Sequence, residues 1–337
     1  MKAVAYTTSL PITESESLID VDLPEPKATG RDLLVKVKAI SVNPVDTKIR
    51  TRVQPDAGEF KVLGWDAAGV VQAVGDDVSL FAPGDEVWYA GAIDRPGTNA
   101  ELHLVDERIV GKKPASLDFA HAAALPLTSI TAWELLFDRL AIAQDKQAND
   151  QVLLIVGAAG GVGSILTQLA RQLTGVTVIG TASRQETKAW VTNLGAHHVI
   201  DHSKPLLAEL NRLDLSQVTH VASLTHSGQH LEQLIEVLAP FGKLAMIDDP
   251  GPIDFTKLKT KSISLHWELM FTRSLFKTAD MIEQHNLLSR VAELVDAGTV
   301  RTTFAEHYGN INAENLKRAH AMLESGKSRG KIVLEGF

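Results

Sequence analysis

The segment Val156 to Ser164, VGAAGGVGS, constrains the fold more than any other, because it joins the apolar run QVLLI to the helix-period segment ILTQLARQL. A buried strand that stops at glycines and restarts as a helix gives the turn backbone freedom. It also lets the chain approach a pyrophosphate closely and points a helix N-terminus at it. Gly157, Gly160, Gly161 and Gly163 sit at that junction. The spelling AAGGVG shifts the usual glycine spacing, and glycine turns that bind nothing are common, so the strand and helix flanks carry the assignment. Gly160, Gly161, Val162 and Gly163 are the expected phosphate cradle.

From Thr128 onward the chain alternates. A helical stretch, TSITAWELLFDRL, precedes QVLLIV; GVTVIGT, HHVID, THVASL and GKLAMI follow, with helix-period segments between them. Strand, helix, strand at this spacing predicts an α/β fold of the Rossmann type, a doubly wound parallel sheet covered on both faces. The first third differs. In LLVKVKAISV, Val35, Val37 and Ala39 alternate with Lys36 and Lys38, as in a half-buried strand, and AAGVVQAVG and AELHLVD read as further strands separated by PGDEV and RPGTN turns. Beyond about Phe271 come long helices, Asp280 to Ala297 and Asn312 to Ser325, and a closing strand, KIVLEG. The expected division is residues 1–126 with 272–337 as a mostly β domain, and 127–271 as the nucleotide-binding domain.

Composition narrows the function. A net charge of -8 gives no basic face for neutralising phosphates, so nucleic acid is not an expected partner. No apolar segment approaches the ~20 residues that span a bilayer, and a cytoplasmic location is the default expectation. With Cys at 0 the chain has no thiolate nucleophile, no disulfide and no cysteine-ligated metal. Of its 12 histidines, His226 and His230 lie four apart near a helix start, and His197, His198 and His202 crowd a strand end. Such loose sets read as surface or capping residues rather than a metal site.

The second strand of the alternating region selects the dinucleotide. An NAD site places an acid at its end to bond the ribose 2'-hydroxyl. Here Ala182, Ser183 and Arg184 follow the strand, with Lys188 one helical turn on. A hydroxyl beside two cations suits a 2'-phosphate, which makes NADPH the expected cofactor. The alternatives are that Ser183 only caps a helix and Arg184 is solvated, and Glu186 keeps NAD in consideration.

The ordered set GWDAAGVV, PGDEV, AAALPLTSITAWELL, AAGGVG, LGAHHVID and GKIVL resembles the medium-chain dehydrogenase/reductase superfamily over nearly the whole chain. More narrowly it is similar to the quinone oxidoreductase branch, whose relatives include zinc-type alcohol dehydrogenase-like proteins. The resemblance implies a GroES-like N-terminal domain, a homodimer, and two-electron reduction of quinones or activated C=C bonds. Zinc members of the superfamily use a cysteine and a histidine with an adjacent glutamate. Asn43 stands at the cysteine's place, and Gly64, Trp65, Asp66 replace the GHE segment, so no zinc is expected. The resemblance puts Asn43, Asp46 and Lys48 at the nicotinamide end and Thr131 against the cofactor. It puts His202 where a tyrosine of NADP-dependent relatives approaches the adenosine phosphate.

Asp46 could equally cap the helix that follows NPVD. Lys48 departs from a tyrosine common in the branch and could donate a hydrogen bond to a developing enolate oxygen. Trp267, Met270 and Phe271 could wall a flat pocket, or pack in a core or subunit interface. Two other readings stand beside the reductase. One is an NADPH-binding protein without turnover; the other is an alcohol dehydrogenase that recruits metal through other ligands.

Overall fold

A computed structural model describes all 337 residues, Met1–Phe337. The chain forms two compact units, Met1–Ile130 with Phe271–Phe337, and Thr131–Met270.

In the second unit, five apolar residues, Val152–Val156, are all buried and form the central strand. Six parallel strands lie in the order His198–Ile200, Thr177–Thr181, Val152–Val156, Val218–Ser223, Leu238–Met246 and Ser264–Trp267. The doubly wound parallel sheet is therefore present, and its strand order reverses direction beside Val152–Val156, the position at which such sheets open a ligand crevice. Helix Gly161–Leu173 is buried from Gly163 through Ala170, and the polar side chains inside that stretch bond to the helix itself, Thr167 Oγ1 donating to Gly163 O at 2.7 Å and Gln168 Nε2 to Ser164 O at 3.3 Å.

Gly180 is in the second strand because nothing larger fits. A Cβ there would lie 2.6 Å from Val191 Cγ1 and 2.9 Å from the Ala158 methyl. The glycine thus sets how closely helix Gln185–Asn193 and the glycine turn press on the sheet.

The first unit is built on the strand Asp32–Ser41, in which Leu33, Val35, Val37 and Ala39 are buried and Lys36 is exposed. It pairs antiparallel with Ala67–Val74, Leu102–Asp106 and the C-terminal strand Lys331–Glu335. The closing KIVLE run is thus part of the sheet begun some three hundred residues earlier, with Val333 opposite Ser41. A second small sheet joins Ile19–Asp22, Lys2–Tyr6 and Lys61–Val62.

Several boundaries differ from the sequence expectation. The stretch TSITAWELLFDRL is not one α-helix: Pro126–Trp133 is α-helical, and Glu134–Arg139 widens to a π-helix closed by Leu140 N–H donating to Leu135 O at 2.9 Å. The buried Glu134 and the Arg139–Glu268 ion pair, Nε to Oε2 at 2.8 Å, lie on or against that segment, and hydrophobic periodicity carries no information about them. The two late helices are Glu283–Asp296 and Ala313–Glu324; Asn312 caps the second by accepting from Asn315 N–H at 2.9 Å. No helix is long and apolar enough to cross a membrane.

Gly180→Ala is expected to lower unfolding stability by about 1–3 kcal/mol, the usual range for overpacking. Urea unfolding measures it, and an unchanged midpoint would show that Val191 and Ala158 yield freely.

Candidate dinucleotide site and a buried polar cluster

At the end of strand Val152–Val156 the chain turns through Gly157, whose φ of +84° is a left-handed value that favours glycine. Gly157 N–H donates to Thr181 Oγ1 at 3.1 Å and ties the turn to the neighbouring strand. Gly160 is the N-cap of the following helix, so Gly161, Val162 and Gly163 occupy its first three positions. Their N–H groups have no acceptor within the helix, and the helix dipole adds partial positive charge there. A Cβ on Gly163 would lie 2.4 Å from Gly157 O and 2.5 Å from Ala158 Cα, so only glycine lets the helix close over the turn. A Cβ on Gly157 would meet Thr225 Cγ2 at 2.9 Å, which places the loop after Val218–Ser223 against the same turn. The turn has the N–H groups and the clearance that a pyrophosphate requires, and the residues present fit a dinucleotide.

The corner beyond the second strand holds Ser183 and Arg184, both exposed. Arg184, not Ser183, occupies the N-cap position of Gln185–Asn193, and its side chain makes no capping bond. The reading of Ser183 as a helix cap is therefore replaced. Arg184 lies 3.3 Å from Glu186, and Lys188 Nζ lies 3.2 Å from Asp201 Oδ2. Asp201 is further held by Ser203 N–H at 3.0 Å and its hydroxyl at 2.7 Å; the Ser203 bonds, with Lys188 assisting against burial, bring its carboxyl down to about 2. The pairing of each cation with a carboxylate was not visible in the sequence. His202 follows Asp201 and is half-buried, and His197 accepts from Val178 N–H at 2.9 Å as a structural anchor. Thr131 is buried in the helix Pro126–Trp133.

Asn43 and Asp46 are buried in the first unit. They form a capping box at helix Pro44–Arg52, in which Asn43 N–H donates to Asp46 Oδ2 at 2.6 Å. Asp46 thus takes the capping role. Burial pushes its carboxyl up to about 7, opposed by the Asn43 N–H and by Lys331, with Asp66 adding to the rise. Asn43 Nδ2 donates to Asp66 Oδ2 at 2.8 Å, and its Oδ1 accepts from Lys331 Nζ. Lys48 is half-buried, one helical turn beyond Pro44.

Asp66 is the centre of this cluster. Its Oδ2 accepts from Ser41 Oγ at 2.9 Å and Lys331 Nζ at 3.0 Å, and its Oδ1 from Leu127 N–H at 2.8 Å. A zinc ion does not fit the cluster. It holds neither thiolate nor imidazole, both oxygens of Asp66 are already bonded, and the Lys331 ammonium would repel a divalent cation. Lys331 and Ser41 were not singled out from sequence; their signal was only that KIVLE and LLVKVKAISV are complementary strands.

Trp267 is half-exposed on the edge strand of the second unit and Met270 is buried, whereas Phe271 packs edge-on against Trp65 in the first unit, ring centroids 6.2 Å apart.

Lys331→Met is expected to destabilise the fold by about 3–5 kcal/mol, because it leaves the Asp66 carboxylate buried without its cation. Urea unfolding tests this, and a loss below about 1 kcal/mol would contradict it.

The chain matches the family models for the alcohol dehydrogenase GroES-like domain over residues 29–115 and for zinc-binding dehydrogenase over residues 194–334. It is 38% identical over 339 residues to a zinc-type alcohol dehydrogenase-like protein of Staphylococcus aureus (strain MSSA476), covering 99% of both chains. A solved Rhizobium etli CFN 42 protein, assigned by name to the zinc-dependent alcohol dehydrogenases, shares 58% identity and a TM-score of 0.96 over 100% of this chain and 98% of its own. The Pseudomonas syringae pv. Tomato DC3000 quinone oxidoreductase shares 27% identity and a TM-score of 0.83, covering 99% of both chains. Mycobacterial Rv1454c, solved with NADPH, shares 26% and 0.84 over 99% of this chain and 100% of its own. With the glycine cradle, the doubly wound sheet and the GroES-like unit in place, the chain belongs to the medium-chain dehydrogenase/reductase superfamily of oxidoreductases, in its quinone oxidoreductase branch.

Proposed function

We propose that the protein is a zinc-independent reductase that uses NADPH to reduce a quinone or the activated C=C bond of an α,β-unsaturated carbonyl. The observation that carries the reading is Lys331. Its ammonium lies 3.0 Å from Asp66 in the cluster where zinc relatives would hold their metal, so a Lewis acid is replaced by a cation already matched to a carboxylate. Substrates that stabilise negative charge by themselves are then favoured over simple alcohols and aldehydes. The NADPH complex of Rv1454c and the quinone oxidoreductase likeness support the same choice.

When bound, the reduced nicotinamide supplies the hydride. The N–H groups of Gly161, Val162 and Gly163 hold the pyrophosphate at the helix N-terminus, and Thr131 contacts the cofactor near its ribose or phosphate. Ser183, Arg184, Lys188 and His202 receive the 2'-phosphate; an arriving phosphate competes with Glu186 for Arg184 and with Asp201 for Lys188. Asn43 and Asp46 act as positioning residues, because their side chains fix the start of the helix that carries Lys48. Lys48 donates a hydrogen bond to the oxygen on which charge develops.

The protein works as a cytoplasmic homodimer in this reading. Strand Ser264–Trp267 leaves one edge of the six-stranded sheet unpaired, with Trp267 50% exposed beside it, and such an edge is a template for pairing with a second copy.

NADPH oxidation is expected with quinones or enones, weakly or not at all with simple aldehydes, and undiminished in EDTA. Loss of activity in the chelator would point to an alcohol dehydrogenase with other metal ligands. Tight NADPH binding without turnover would make it a binding protein. Lys48→Met should lower kcat about 10–100-fold with intact NADPH binding; unchanged turnover removes Lys48 from the mechanism.

A further inference from the structure

Helix Pro44–Arg52, which carries Lys48, has no apolar stripe to seat it. Of its nine residues only Asp46 and Arg50 are buried, an acid and a base four positions apart and therefore on one face. Apolar packing is non-directional, whereas hydrogen bonds fix an angle. The rotation of this helix about its axis is accordingly set by what those two side chains bind.

Asp46 is tied to Asn43 N–H at the first turn. Arg50 holds the last. It has no exposed surface, and its two terminal nitrogens reach different parts of the first unit: Nη1 donates to Leu10 O, and Nη2 to Glu324 Oε1 at the end of helix Ala313–Glu324. Its Nε is buried without a partner, so the grip is that of a fork spanning two acceptors. The backbone at this end is held as well. Ser9 Oγ donates to Arg50 O at 2.7 Å, and Tyr6 Oη donates to Val53 O at 2.7 Å and to Ile49 O at 3.2 Å. His320, one turn before Glu324 on the same helix, leaves both ring nitrogens unbonded; burial, reinforced by Arg50, brings its imidazole down to about 3. That ring stays neutral, and Glu324 is the charge that answers Arg50.

Successive residues turn by ~100° about a helix, so Lys48, two positions from both Asp46 and Arg50, projects from the opposite face. Any rotation of the buried face is passed on to Lys48. At the ~5 Å radius of the helix surface a turn of about 10° moves a side chain by about 1 Å, a misplacement that costs on the order of 100-fold in rate where it disturbs the reacting geometry.

We propose that Arg50, gripped by Glu324 and Leu10, is a positioning residue for the reduction: it fixes the rotation of its helix and thereby the direction in which Lys48 reaches the oxygen that gains charge. The inference rests on the role given to Lys48 above. It adds a residue that touches neither cofactor nor acceptor.

The test is steady-state NADPH oxidation with 1,4-benzoquinone and with an enone, by the full chain and by Arg50→Lys, Glu324→Gln, Lys48→Met and the pairs that combine each of the first two with Lys48→Met. All are assayed at a temperature where urea unfolding shows them folded. Lysine keeps the charge but cannot span both acceptors, so Arg50→Lys is expected to lower kcat about tenfold with the Kd for NADPH unchanged. Glu324 is partly exposed, and Glu324→Gln, expected to lower kcat about threefold, carries the same comparison if Arg50→Lys does not fold. In the paired variants the losses are expected not to multiply: each pair turns over at the rate of Lys48→Met, because Arg50 acts through the side chain already removed. Losses that multiply, or an unchanged kcat in Arg50→Lys and Glu324→Gln, overturn the positioning role and leave Lys48 in place. Unchanged turnover in Lys48→Met, or no turnover by the parent chain, overturns the Lys48 reading and this inference with it.

Discussion

Asp66 has no exposed surface, and its side chain binds three separate stretches of chain. Ser41 and Asn43 reach it from the end of one strand, Leu127 from the helix Pro126–Trp133, and Lys331 from the start of the C-terminal strand. A buried carboxylate is tolerable only when its charge and lone pairs are met, and here each oxygen is bonded. The geometry of the first unit follows from that requirement. Helix Pro44–Arg52 begins where Asn43 is held, so the side chains it presents, Lys48 among them, take their positions from the carboxylate. Asparagine, aspartate and lysine build an ion pair with hydrogen-bonded walls.

The strands and the glycine turn were legible in the sequence because local chemistry determines them. VLLIV is apolar throughout and LLVKVKAISV alternates, and glycines between strand and helix have few other uses. The polar pairings were hidden for the opposite reason. Lys331 and Asp66 are separated by 265 positions, and nothing in either neighbourhood names the other. Lys188 and Asp201 are only 13 apart, yet the bond exists because two parallel strands place their ends side by side. Ser183, Arg184, Lys188 and the nearby Glu186 can be read together in the sequence; the Asp201 carboxylate that pairs with Lys188 cannot. The π-helical turn at Glu134–Arg139 was likewise out of reach of periodicity, since a single widened turn leaves the apolar pattern almost unchanged.

The two units spend their buried polar groups differently. In the second, the strand Val152–Val156 is apolar throughout and the glycine turn at its carboxyl end leaves N–H groups unbonded, while buried charge is confined to pairs such as Arg139–Glu268. In the first, charge is taken into the interior and closed upon itself. One arrangement leaves hydrogen-bonding capacity for a ligand, and the other holds a scaffold still.

The place of Lys331 also bears on the order in which the chain folds. The residues of the second unit, Thr131–Met270, are contiguous and leave the ribosome together, so their parallel sheet can form as soon as they emerge. The first unit cannot finish then. Its central strand lacks the neighbour Lys331–Glu335, and Asp66 lacks its cation, until that strand is made, after the whole second unit. During synthesis the strand Asp32–Ser41 therefore waits, with an unmatched carboxylate beside it and an open sheet edge, for a partner about 290 residues downstream.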